Sequence, residues 1–257
     1  MTTSETVANK IYKTYEEALH LCDGVGYSMK ELTEVVIKKN IAIAQSLTPE
    51  GYLGADATRT LLGVSFALNR NSIRVLDFGG GGGYHYLLAR QALGKNCHIK
   101  WNVVETESMC EAGRSVENAN LKFFSDISDA ADDLGYIDLI LSSSAIQYCP
   151  DPLTYLKSLT QISAKYIYIT RTPFFAGNEK LVSIQSSMLS HNGPGALPEG
   201  YIDKEILYPI SFIPLKQVEE IIQEKYSILF KVIEEPANLF IEGQPVNPYY
   251  GFFCELK

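Results

Sequence analysis

The chain has 257 residues, 46% hydrophobic and 20% charged, which suits one large domain, or one domain with elaborations, and excludes a disordered or fibrous chain. Lys plus Arg number 22 against 30 for Asp plus Glu, a formal net charge of −8, and no basic run exceeds a dipeptide such as Lys38–Lys39, which argues against a sequence-independent grip on nucleic acid. The five cysteines never form a CxxC pair and the four histidines never an HxxxH pair, against both a disulfide framework and a metal site.

The first ten residues, MTTSETVANK, lack the apolar core of a signal peptide. No stretch approaches the roughly 18 to 20 apolar residues of a membrane span. A soluble, cytoplasmic chain with no membrane partner is expected. Residues 1–70 read as a helical extension. Ser28 and Glu31 have capping-box spacing, and Leu32, Val35, Val36, Ile43 and Leu47 recur at near-helical intervals up to Thr48-Pro-Glu-Gly. A second helical run spans about 55–68.

From Ile73 short apolar runs alternate with helical patterns: 74–78, 99–105, 121–125, 137–144 and 166–171. Unbroken runs of this kind suit strands buried on both faces, as in a parallel sheet covered by helices. Asp151-Pro152 marks a helix start, followed by the stripe Leu153, Leu156, Leu159 and Ile162. Pro214 opens another, with Leu215, Val218, Ile221 and Ile222 on one face. Two β-like runs, 226–240 and 249–257, flank a loop with Gly243, Pro245 and Pro248, and strands joined this directly should be antiparallel. The stretch Phe174–Ser211 holds three prolines and four glycines, fits no regular element, and is expected to be a lid or binding loop.

The most informative stretch is Val75-Leu-Asp-Phe-Gly-Gly-Gly-Gly-Gly-Tyr-His-Tyr. Glycines after an acid-ended strand let the backbone turn sharply and approach a ligand, and the following helix start offers free N–H groups. A P-loop would need Lys then Ser or Thr, where Tyr84-His85 stands. The dinucleotide fingerprint GxGxxG would put its third glycine at Tyr84, His85 or Tyr86. Both are disfavoured.

An acid followed by GxGxG resembles motif I of the class I S-adenosylmethionine (SAM)-dependent methyltransferases. The resemblance continues in order. Glu105 ends the second strand, 22 residues after Gly83; Ser125-Asp126-Ile127 follows the third; Asp138 to Pro152 is similar to the fourth-strand motif and its helix. GGGGG-Y-HY, SSSAIQY-x-x-DP and Ile169-Thr-Arg-Thr-Pro further resemble a narrower family of small methyltransferases, found largely in surface-polysaccharide and secondary-metabolite gene clusters. The resemblance covers about residues 73–257. It implies an α/β, Rossmann-like class I methyltransferase fold: a seven-stranded, mostly parallel sheet with an antiparallel last strand. To that fold the chain adds the helical extension at 1–70 and the lid-like insertion at about 174–212, the SAM-binding part being 71–257.

By the same resemblance SAM is the cofactor. Asp77, Gly79, Gly81 and Gly83 would lie against its amino-acid end, Glu105 would hold the ribose, and Asp126 with Ile127 would contact the adenine. Asp77 could instead cap the loop, and Asp126 could simply be a turn or N-cap residue. Ser142, Ser143 and Ser144 end a strand at the edge where open α/β sheets bind ligands, with Gln147 and Tyr148 next. His85 stands at a helix start, where the dipole disfavours a cation and suits a neutral base, though packing is the alternative. Arg171 could clamp a carboxylate or phosphate, or pair with a nearby acid. Trp101 reads as core, and His20, His98 and His191 as surface. The aromatics Phe174, Phe175, Tyr201, Tyr208 and Phe212 suggest a lid, a pocket or a homodimer contact.

The reading is methyl transfer to a small-molecule acceptor of secondary-metabolite or saccharide type. His85, Gln147, Tyr148, Ser144 and Arg171 are the catalytic candidates. Two alternatives remain: attack on the γ-carbon of SAM, as in cyclisation to azetidine-2-carboxylate with release of methylthioadenosine, and a non-catalytic partner protein.

Overall fold

The computed structural model describes residues 6–7, 10–22, 26–47, 54–233, 240–241 and 244–257. The Thr48-Pro-Glu-Gly helix end, Gly243 and the first five residues lie outside them. The N-terminal part forms β1 (Thr6–Val7), α1 (Tyr15–His20), α2 (Lys30–Ser46) and α3 (Ala55–Ala67). The Ser28–Glu31 capping box does not form. α2 starts at Lys30 behind Met29, which makes no side-chain cap, and Glu31 instead pairs with Lys204.

The alternating region follows as β2 (Ser72–Phe78), α4 (Tyr84–Leu93), β3 (His98–Val104), α5 (Glu107–Gly113), β4 (Leu121–Phe124), α6 (Ile127–Leu134), β5 (Leu139–Ser143), α7 (Pro152–Gln161) and β6 (Tyr166–Phe175). Then come β7 (Leu181–Met188), β8 (Glu205–Pro214), α8 (Leu215–Lys225), β9 (Tyr226–Ile233), β10 (Phe240–Ile241) and β11 (Gln244–Leu256). Among the described residues, seven strands make the central sheet in the order β4-β3-β2-β5-β6-β11-β9. Those from β4 to β6 pair in parallel, and β11 runs antiparallel between β6 and β9. This is the expected arrangement.

Burial explains the unbroken apolar runs. Leu76, Ile140, Ile167 and Ile169 face the core under α6, α7 and α8, through Leu134, Leu156 and Val218 among others. Ile73, Val75, Leu139, Leu141 and Tyr168 face the core under α3 and α4, through Val64 and Ala89. With helices on both sides, successive residues of a strand are equally apolar.

The insertion departs from expectation. It contains β7 and β8, paired antiparallel from Leu181↔Phe212 to Met188↔Glu205, and β8 continues parallel to the end of β6 at Phe174↔Ile213. β1 extends this small sheet along β7. The signal was masked because β7 buries polar residues. Ser183, Gln185 and Ser187 are at most 4% exposed. Each has a partner: Ser183 donates to the Lys10 carbonyl, Gln185 accepts from Tyr148, and Ser187 accepts from Tyr208.

Candidate functional site

The chain leaves β2 for β3 and β4 on one side and returns to β5 and β6 on the other, so a crevice opens beyond the carboxyl ends of β2 and β5. A cleft of about 1670 Å³ lies there, floored by Gly79–Gly82. Pockets for one small ligand run to about 1,000 Å³, so this cleft has room for two. The turn needs its glycines. Gly79 has φ +71°, and a Cβ on it would meet the Ala145 Cβ at 2.2 Å. Gly83, at φ +87°, is the left-handed N-cap of α4.

Glu105, just past β3, reaches back over this turn. Its Oε1 accepts from the Gly81 N–H at 3.1 Å and its Oε2 from the Thr106 N–H at 2.9 Å. Burial pushes its carboxyl above the usual carboxylate range, against the pull of those two N–H groups. Asp126 and Ile127 also line the cleft. Asp126 caps α6, its Oδ1 accepting from Ser128 at 2.7 Å and Asp129 at 3.1 Å.

Asp77 does not line the cleft. Its carboxylate is fully buried behind the turn, where a Cβ on Gly80 would strike it at 2.4 Å. The Trp101 indole N–H donates to Oδ2 at 3.0 Å, and His85 Nδ1 lies 3.0 and 3.1 Å from the two carboxylate oxygens. His85 lines the cleft with its side chain 13% exposed. Trp101 is core, as read, and is also tied to this carboxylate.

Ser143, Ser144, Tyr148 and Arg171 line the cleft, whereas Ser142, Gln147 and Gly83 do not. Ser144 and Arg171 sit at φ +55° and +56°, left-handed positions that non-glycine residues hold only when their surroundings impose them. Gln147 is what ties them. Its amide donates to Ser144 Oγ at 3.0 Å and to the Arg171 carbonyl at 3.1 Å, while its buried Oε1 has no partner. The Arg171 guanidinium lies 3.2 Å from Asp56 Oδ2 on α3. Tyr148 is held at both ends: its hydroxyl donates to Gln185 at 3.1 Å, and its carbonyl accepts from the Tyr15 hydroxyl at 2.7 Å.

Several cleft residues escaped the sequence reading: Tyr15, Tyr27, Tyr155, Asp56 and Asn40; His191, read as surface, is exposed and also lines the cleft. The Tyr27 ring packs 4.7 Å from that of Tyr148. Asn40, on α2, is 2% exposed, and neither atom of its amide has a hydrogen-bond partner. A Cβ on Gly82 would lie 2.4 Å from its Nδ2. A signal was present, since Asn40 interrupts the Val36–Ile43 stripe with an amide. Beside it Lys39, also buried, donates to the carbonyls of Ser190, Asn192 and Gly193, docking α2 on the insertion.

No protein-family model and no curated protein matches the chain. Among solved structures, the N-terminal domain of EvdMO1 with SAH bound is 14% identical, with a TM-score of 0.48 over 87% of this chain and 99% of that one. An S-adenosylmethionine-dependent methyltransferase from Clostridium acetobutylicum is 11% identical, with a TM-score of 0.46 over 78% and 90%. One from Mesorhizobium loti is 13% identical, with a TM-score of 0.45 over 79% and 100%. Likenesses of this size add nothing to the topology described above.

Proposed function

We propose that the chain is a SAM-dependent transferase that methylates a small molecule held in the cleft beyond β2 and β5. The observation that carries this reading is Glu105. Its carboxylate stands at the carboxyl end of β3 and bonds the Gly81 N–H, with acceptor capacity left on both oxygens for a pair of ribose hydroxyls. Asn40 fits the other end of such a ligand. Its unpartnered amide, pressed on the glycine turn, offers a donor for a carboxylate and an acceptor for an ammonium. Asp126 and Ile127 would flank the adenine. α2 and the β7–β8 insertion would cover the bound substrates and exclude water. The sulfonium is a good leaving group, so this chain's task is to align the acceptor and keep it unprotonated. Ser144, Tyr148 and Arg171 would face that acceptor, with Gln147 bracing Ser144 and Arg171 from behind. A secondary-metabolite or saccharide-like acceptor follows from the narrower family resemblance.

A second reading keeps the same donor but makes its own amine the nucleophile, closing a four-membered ring at the γ-carbon. The position of His85 favours it: a nitrogen base in the first turn after the glycines, on the side where the amino-acid arm would lie.

Calorimetry tests the proposal. SAM or S-adenosylhomocysteine should bind, with NAD and ATP much weaker, and Glu105→Ala should weaken binding by about 1–3 kcal/mol, the cost of stranded hydrogen-bond partners. Absence of SAM binding, or unchanged affinity in that variant, would refute it. Mass analysis after incubation with SAM alone separates the chemistries, since methylthioadenosine marks attack on the γ-carbon.

A further inference from the structure

We infer that Asp77 is a positioning residue rather than a ligand of the bound substrate. Together with Trp101 it orients His85 as a base with Nε2 toward the cleft, so that the nucleophile served by this site is one that still carries its proton. This rests on the transferase reading above.

The geometry fixes the tautomer. An ionised carboxylate only accepts hydrogen bonds. Both oxygens of Asp77 lie within 3.1 Å of His85 Nδ1, so Nδ1 carries a hydrogen and Nε2, across the ring, is the nitrogen through which His85 can take a proton. The indole N–H at 3.0 Å pins the same carboxylate from behind, and its full burial leaves it no water to turn toward. Position confirms the division of labour: His85 lines the cleft and Asp77 does not. Tyr84 stands next to His85 with ring centroids 6.3 Å apart, and the acids Asp56, Glu105, Glu107, Asp126 and Asp132 line the cleft together with Arg171 and His191. Glu105 already hydrogen-bonds two backbone N–H groups, and Asp56 pairs with Arg171. Of the two histidines that line the cleft, His191 stands on the insertion and His85 is the one at the glycine turn.

In the step this supports, a hydroxyl or ammonium gives its proton to Nε2. The atom so exposed forms its bond to the electrophilic carbon of SAM as the carbon–sulfur bond breaks, and that bond's electron pair stays on sulfur. An acceptor that is already anionic, such as a carboxylate or thiolate, would have no use for the arrangement.

The test needs no acceptor. In the ligand-free protein, long-range ¹H–¹⁵N NMR should show His85 protonated on Nδ1, and a hydrogen on Nε2 instead would overturn the inference. Diethyl pyrocarbonate, which acylates unprotonated imidazole nitrogen, should modify His85. Asp77→Asn, whose amide can donate to Nδ1 and so move the hydrogen to Nε2, should slow that modification by about tenfold or more. Equal reactivity in the variant would refute the positioning role. S-Adenosylhomocysteine affinity of Asp77→Asn should stay within a few-fold of wild type, whereas a large loss would make Asp77 a ligand. If wild type itself does not bind S-adenosylhomocysteine, the transferase reading fails, while the tautomer and reactivity results still judge the dyad. The wild-type spectrum decides the matter even if Asp77→Asn does not fold.

Discussion

Gly79→Ala should be among the most damaging single-methyl additions to this chain, and its cost separates into two parts. At φ +71° an alanine pays the left-handed penalty of about 1–2 kcal/mol. The new Cβ would also lie 2.2 Å from the Ala145 Cβ, so the loop after β5 must shift, an overpacking cost of about 1–3 kcal/mol. The loss should total about 2–5 kcal/mol, read by urea unfolding with the single tryptophan, Trp101, as the reporter. Ala145→Gly removes the colliding carbon and leaves the Ala145 Cα at 3.4 Å, an ordinary contact. The double variant should therefore recover the steric part alone, a coupling of about 1–3 kcal/mol. Gly81→Ala is the internal control. It is also left-handed, at φ +55°, but its nearest neighbour is Val36 Cγ1 at 3.6 Å, so it should pay only the backbone part, about 1–2 kcal/mol. Strict additivity of Gly79→Ala and Ala145→Gly, within about 0.5 kcal/mol, would show that the two loops do not touch as described.

Glu105 should leave a pH signature on stability. Its folded carboxyl holds its proton to higher pH than the unfolded one, so its favourable contribution is complete below the ordinary carboxylate range and is lost as pH rises through the folded value. Denaturation across that window should show wild type losing stability relative to Glu105→Gln; parallel curves would mean the carboxylate is not desolvated. Asn40→Leu should raise the unfolding midpoint, because a buried amide with neither atom bonded costs about 1–3 kcal/mol, and should weaken S-adenosylhomocysteine binding measured by calorimetry. A destabilised variant with undiminished affinity would assign Asn40 to packing.

The parts of the fold legible in the sequence were those in which apolar content alone carried the pattern. β2, β3, β5 and β6 bury both faces, so their runs stood out, and the glycine turn was visible because its backbone and contacts tolerate little else. β7 was illegible for the opposite reason: Ser183, Gln185 and Ser187 are buried against hydrogen-bond partners that come from distant segments. The same limit applied to the site. Glu105 announced itself as an acid ending an apolar strand, and His85 as the one histidine beside the turn. Asp77 was expected either against the ligand or as a cap of the loop, and nothing in a linear chain says that Trp101 and His85 close around it. Asn40 and Asp56 belong to helices whose relation to the sheet only tertiary packing sets.

Lys39 also constrains when the cleft can exist. Its ammonium waits for carbonyls 151 to 154 residues further along, and closing a loop of that length in a disordered chain costs roughly 4 kcal/mol beyond a constant. That cost is met only after the intervening sheet has brought the two stretches together. A ribosome delivers α2 early and the stretch from Ser190 to Gly193 much later, so a nascent chain carries the glycine turn long before α2 can dock on the insertion. Docking of α2 on the insertion is therefore a late tertiary event, made only once the strands between them have folded.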